Sequence, residues 1–247
     1  MLVKQRKYWD TMVKISVITP TIRPKGLSLV KKALSRQSMT DFEWLIGSPF
    51  NALKYGQWVE DDFKGGKWTL NRIYNRLISR ANGELLVSWQ DYTFADPDAL
   101  EKFWFHYQNE PKTLVSGIGG KYTDPNFLVS VWEDPRKNDK HGSYYPCYWT
   151  DIEWNFCSCP KQAIYDIGGF DEGADFEYLG MDGYGVNERL NDLGGYDFKL
   201  DQTNQSYSLV HSRVGNWDKD NGLNGPYNRR KEELKKNHQW LKMNYLK

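Results

Sequence analysis

Apolar positions change period along this chain, and each change marks an element. From Val13 to Pro20 they alternate and then run apolar and β-branched, and the proline-broken stretch Pro20 to Pro24 cannot continue, so a first strand is predicted with a loop at its C-terminal end. Leu27, Val30 and Leu34 recur at helical spacing within residues 26–37, and residues 42–47 return to a strand pattern. Strand, helix and strand in that order form a βαβ unit with parallel strands. Residues 48–67 are polar and irregular, after which Leu70, Ile73, Tyr74, Leu77, Ile78 and Ala81 draw a helical stripe that Asn82 and Gly83 stop. Leu85, Leu86 and Val87 suit a strand buried on both faces. Asp96, Pro97 and Asp98 then supply an N-cap, a first-turn proline and a first-turn acid to a helix bearing Leu100, Phe103, Trp104 and Tyr107 on one face.

The second half changes character. Residues 113–119 and 127–132 read as strands, followed by a long aromatic loop to about residue 153. Residues 155–159 read as a strand, 161–167 as a short helix, 168–172 as a turn, and Val186 to Leu193 as a helix ended by Gly194 and Gly195. Residues 196–200 and 206–211 close the pattern as two strands. Beyond His211 a Gly- and Asn-rich loop leads to a basic segment from Arg229 that reads as a terminal helix with a solvated face. The repeated βα units predict an α/β fold with a mostly parallel, doubly wound sheet flanked by helices, over residues 1–212, with a loop-and-helix extension over 213–247.

Composition narrows the classes of function. With 33 Lys plus Arg against 32 Asp plus Glu, the net charge of +1 gives no global field for nucleic acid or an anionic membrane. No apolar run approaches a membrane span, and the charged, aromatic first 14 residues lack the apolar centre of a signal peptide, so a soluble, cytoplasmic protein is expected. The three cysteines, Cys147, Cys157 and Cys159, are an odd number, and the one-residue gap between the last two is tighter than zinc pairs use, so they are read as reduced and structural. The 11 Trp and 16 Tyr suit either core packing or stacking on sugars and bases.

One acid stands out. Asp91 lies at the C-terminal end of the strand begun by Leu85, Leu86 and Val87, and open α/β sheets bind ligands just outside those strand ends. It is a candidate for holding a metal or a phosphate-bearing substrate, beside the plainer role of a turn acid.

Ile15 to Thr21, Asn75 ahead of Arg80 to Glu84, the acidic turn followed by Pro97 to Leu100, and Ile167 to Glu172 together resemble, in order and spacing, family 2 glycosyltransferases of the GT-A fold. The resemblance spans about residues 13–212. It implies transfer of a sugar from a nucleotide-diphosphate donor to a hydroxyl acceptor on a glycan or another molecule, with inversion and assisted by Mn2+ or Mg2+ at a DxD-type turn. Here that turn reads Gln90, Asp91, Tyr92, with one carboxylate instead of two. The resemblance assigns Asp91 and His211 to the metal, and Asp182 to the general base. Pro20, Thr21, Arg23, Ser48, Lys67, Asn75, Gln90 and Asp91 fall to the nucleotide-sugar, and the aromatic loop from Trp132 to Trp154, with Trp149 and Trp154, either stacks on the acceptor over the cleft or packs as an ordinary loop. The chain departs from the family where Gly47 and Ser48 stand for base-reading acids and Met181 for the acid before Asp182. Those departures keep open a non-catalytic nucleotide-sugar or glycan-binding protein of the same fold. A nucleotidyltransferase would want a basic signature loop after the first strand, where only Arg23 and Lys25 occur.

Overall fold

The computed structural model describes residues 13–61, 69–177 and 182–210. In chain order these form β1 (Ile15–Pro20), a 3-10 turn, α1 (Leu27–Leu34), β2 (Phe42–Ser48), β3 (Gln57–Glu60), α2 (Leu70–Arg80), β4 (Leu85–Trp89) and β5 (Thr93–Ala95). The chain continues through α3 (Ala99–Asn109), β6 (Thr113–Tyr122), β7 (Ser130–Glu133), β8 (Tyr144–Pro146), a second 3-10 turn and β9 (Phe156–Pro160). It finishes with α4 (Lys161–Asp166), α5 (Ala174–Glu177), α6 (Gly183–Leu193) and β10 (Asp197–Leu209).

A single mixed sheet runs β3-β2-β1-β4-β9-β6-β10-β5, with β7 beside β6 and β8 beside β10. Along that path β9 and the edge strand β5 oppose the other strands, which all point one way. Every residue of β1 and β4 is buried, as expected of central strands covered on both faces. Alternate side chains feed two cores. Ile18 and Leu86 pack with Ile73, Leu77, Ile164, Phe170 and Leu190 from α2, α4 and α6 and the turn before α5. Val17, Leu85 and Val87 pack with Leu27, Val30, Leu100 and Phe103 from α1 and α3.

Strands β1, β2 and β4 and helices α1, α2 and α3 follow the predicted pattern, and the differences lie elsewhere. β3 sits in the stretch read as irregular, and its four residues offer only one buried side chain to a periodicity argument. The aromatic loop holds β8 and a 3-10 turn. The strands expected at 196–200 and 206–211 are one strand, β10, broken in register between Asp201 and Gln205 rather than in path. There Asp201 accepts Thr203 N–H at 2.8 Å and bonds His106 Nε2 at 2.8 Å, so the irregularity is a built bulge. The extension over 213–247, His211 and Lys67 lie outside the described residues. No helix among the described residues is long and apolar enough to cross a membrane.

Candidate active site

Two clusters of polar side chains form at the edge of the sheet where the parallel strands end. In the first, Asp91 leaves β4 and is 1% exposed. Tyr92 follows in the left-handed region at φ 59°, turning the chain back into β5. The loop after β1 closes over the turn: Thr21 donates its hydroxyl to Asp91 Oδ2, Arg23 Nε donates to the same oxygen at 2.9 Å, and Arg23 Nη2 donates to Oδ1. This is the two-pronged guanidinium–carboxylate fork. The guanidinium also lies 5.4 Å from the centre of the Tyr92 ring. A side chain at Gly26 would meet that ring at 2.6 Å, so glycine lets the two loops close together.

Other nucleotide candidates fall around this pair. Pro20 ends β1 in register with Gly47, whose carbonyl accepts Thr21 N–H at 2.8 Å. Ser48 is fully buried and donates its hydroxyl to Phe50 O at 2.7 Å, so the hydroxyl is committed to its own loop. Gln90 has an exposed side chain, and its backbone N–H bonds Asn155 O at 2.9 Å.

The expected divalent cation does not fit Asp91 as the structure holds it. Both carboxylate oxygens are taken by Arg23, and among the described residues no group of three or more His, Cys, Asp or Glu converges to complete a shell.

The second cluster surrounds the first turns of α2, a crossover helix whose N-terminus lies at the same edge of the sheet. Asn75, expected to meet the donor, instead clamps the Gly-Gly turn. Its Oδ1 accepts Phe170 N–H at 2.8 Å, and its Nδ2 donates to Phe170 O at 2.9 Å and to Glu172 Oε1 at 3.0 Å. Gly169 passes this amide at φ 88°, where a Cβ would lie 2.7 Å from Asn75 Oδ1. Asp175 accepts the N–H groups of Asn71 at 2.7 Å and Arg72 at 3.0 Å, capping α2 from outside it. Burial raises the Asp175 carboxyl to about 7, against those two backbone donors.

Asp182 sits at the N-cap of α6, yet its side chain makes no capping bond to the helix. Its backbone N–H is held by Asn71 Oδ1 at 2.7 Å, while its Oδ2 accepts Asp171 N–H at 2.9 Å and Arg189 Nη1 at 3.0 Å. Burial pushes its carboxyl above the ordinary aspartate range, and Arg189 pulls it back down. A base tuned upward toward neutrality is suited to proton abstraction. Sequence reasoning missed Asn71, Arg189 and Gly185. The signal for Arg189 was its spacing of seven residues from Asp182, two turns along one helix face.

Beside the Asp91 turn, the glycine-rich end of β6, with β7 and β10, lines a solvent-open cleft of about 460 Å³. Lys121, Trp132, Glu153, Asn155 and Ser208 face it, with Lys121 Nζ 4.9 Å from the Trp132 ring centre. Asn155 bonds Gln90, and Ser208 Oγ lies 2.9 Å from Thr93 Oγ1, so the cleft adjoins the acidic turn. Arg136 pins the long loop at its floor through Asp134, Ser116 Oγ at 3.1 Å and Asp151 O.

The acceptor expectation for Trp154 is corrected here. Trp154 is 4% exposed, packed edge-on against Tyr74 and Phe170, with Nε1 bonded to Asn187 Oδ1 at 3.0 Å. A ring with no open face cannot stack on a sugar. Trp149 is partly buried against the same core, and its carbonyl accepts Asn187 Nδ2 at 3.0 Å.

Neither a protein-family model nor a curated relative matches the sequence. Solved structures do. S. aureus TarS 1–349 in complex with UDP superposes with a TM-score of 0.61 at 13% identity, over 80% of this chain and 60% of that one. A second structure of S. aureus TarS 1–349 gives 0.57 at 12% identity, over 79% and 60%. The chain thus spans about three fifths of the TarS fragment it matches. At such identity the likeness carries the fold alone, a mixed α/β sheet flanked by helices that TarS shares.

Proposed function

We propose that this chain is a glycosyltransferase, akin to family 2, that moves a sugar from a nucleoside-diphosphate donor to a hydroxyl acceptor with inversion. The observation that carries this reading is the placement of a buried, oriented carboxylate, Asp182, at the same sheet edge as the charged Arg23–Asp91 turn. Inverting transfer needs one group to take a proton and another to receive the departing diphosphate. Asp182 Oδ1, which carries no hydrogen bond among the described residues, takes the proton of the acceptor hydroxyl. The hydroxyl oxygen then forms its bond to the anomeric carbon as the bond from that carbon to the phosphate oxygen breaks. Asn71, Asp171 and Arg189 hold the base in place.

The cleft lined by Trp132, Lys121, Glu153 and Asn155 is the place for a sugar ring, since an exposed indole edge and several hydrogen-bonding side chains meet there. Mn2+ or Mg2+, expected from the resemblance, does not fit Asp91 as it is held by Arg23 and Thr21, and no step is assigned to it. UDP-sugars are the first donors to try, given the UDP in the TarS complex.

The test is a calorimetric screen of nucleoside-diphosphate sugars against the full chain, with and without Mn2+. Saturable binding of one donor, weakened by Asp91→Ala, supports the reading. Absence of binding by every donor under both conditions contradicts it.

A further inference from the structure

We propose that Arg23 is the protein's own cation at the end of β4, occupying the side of Asp91 that a divalent ion would take and receiving the donor's diphosphate directly. The inference rests on the reading that the ligand is a nucleoside diphosphate, and it goes further by making that site independent of metal. A hard divalent cation binds a carboxylate through oxygens open to it. Asp91 has none open: its side chain is fully buried, Arg23 covers one oxygen with Nη2 and the other with Nε, and Thr21 adds its hydroxyl to the second. The turn also carries a single carboxylate, flanked by Gln90 and Tyr92, so the guanidinium already balances its charge.

The other edge of Arg23 is turned outward. Its side chain is 18% exposed against 0% for Asp91, and Nη1 has no hydrogen-bond partner among the described residues. Three N–H bonds on a fixed plane, both on Nη1 and the second on Nη2, are therefore left to meet phosphate oxygens, the recognition for which guanidinium geometry is suited. The group is held from several sides, by Asp91, by the Tyr92 ring, and by the turn in which Arg23 N–H bonds Thr21 Oγ1 at 2.8 Å. A cation so fixed needs little reorganisation as charge develops on the leaving group.

The experiment uses the full chain with Mn2+ alone and with inorganic pyrophosphate as the diphosphate probe. Mn2+ binding is followed by electron paramagnetic resonance, and pyrophosphate binding by calorimetry in EDTA and in Mn2+. The proposal expects the wild type to bind pyrophosphate in EDTA, and to show no Mn2+ binding that Asp91→Asn removes. Arg23→Ala should weaken pyrophosphate binding in EDTA by about tenfold or more and tighten Mn2+ binding by a similar factor, because it frees Asp91. Arg23→Lys, which keeps the charge without the fork, should fall between the two and guards against misreading a folding defect. Mn2+ binding by the wild type that depends on Asp91, or pyrophosphate binding that needs Mn2+, overturns the proposal. Pyrophosphate bound in EDTA through Arg23, with no nucleoside-diphosphate sugar bound under any condition, upholds this proposal and contradicts the proposed transferase function.

Discussion

Arg189 lies two turns along α6 from Asp182 and joins that carboxylate to the Gly-Gly turn: Nη1 is 3.0 Å from Asp182 Oδ2 and Nη2 is 2.6 Å from Gly169 O. One side chain thus fixes the proposed base relative to the turn that Asn75 clamps. Asp182→Asn should lower transfer by about 10²–10⁴-fold while leaving donor binding intact, the range general-base removal spans. Parallel turnover and calorimetry measurements check it.

The same contact sets a pH dependence. Arg189 lowers the Asp182 carboxyl's pKa, so Arg189→Gln should raise it. The base must be deprotonated to act. The acid limb of the activity profile should therefore move to higher pH in the variant, with the alkaline side little changed. A profile of unchanged shape and lower height would show a merely structural contact.

Gly185 gives a sharper probe of the base. A Cβ there would come within 2.0 Å of Asp182 Oδ1, the oxygen proposed to take the proton. Gly185→Ala must push that carboxylate aside while keeping its charge. Turnover should fall by about tenfold or more, and stability should fall as well, because the displaced carboxylate gives up its bonds to Asp171 N–H and Arg189. Turnover with thermal unfolding separates the two effects.

Asn75→Ala tests the clamp. It strips hydrogen bonds from both the N–H and the C=O of Phe170, groups buried beside the α2 core. A loss of roughly 2–3 kcal/mol in urea unfolding is expected, the cost of leaving buried polar groups unpaired.

Asp175 should make the fold less stable as pH rises. Its carboxyl is raised to about 7 in the folded chain from an ordinary aspartate value of 3.8, so between these values the folded state holds a proton that the unfolded state has released. The associated stability is complete below the unfolded value and is lost as pH climbs through about 7. Asp175→Asn should flatten that part of the curve, as read by urea unfolding at pH 5 and pH 8.

The sequence carried β1, β2, β4 and the helices between them well because their signals are local. The apolar runs of β1 and β4, the stripe Leu70 to Ala81, and the glycine stops at 83 and 194 each declare their own element. Direction and pairing are not local. Nothing in residues 155–159 says that β9 slots antiparallel between β4 and β6, and the turn signals within 201–205 read as a break although β10 passes through them by a bulge.

The site was legible to a similar depth. Asp91, Thr21 and Arg23 do converge, though 68 residues separate Arg23 from Asp91. A helix amide such as Asn75, or a loop aromatic such as Trp154, looks the same in sequence whether it faces a substrate or a neighbour. Their partners, Phe170 and Asn187, are supplied by the tertiary fold.

The central claim is transfer, and the most direct measurement is release of nucleoside diphosphate from a panel of donor sugars in the presence of glycan acceptors, for the wild type and for Asp182→Asn. The account predicts turnover of at least one donor by the wild type, dependent on acceptor, and its loss in the variant with donor binding retained. Donor binding without turnover by the wild type would make the chain a binding protein of the same fold, and full turnover by Asp182→Asn would show that another group takes the proton.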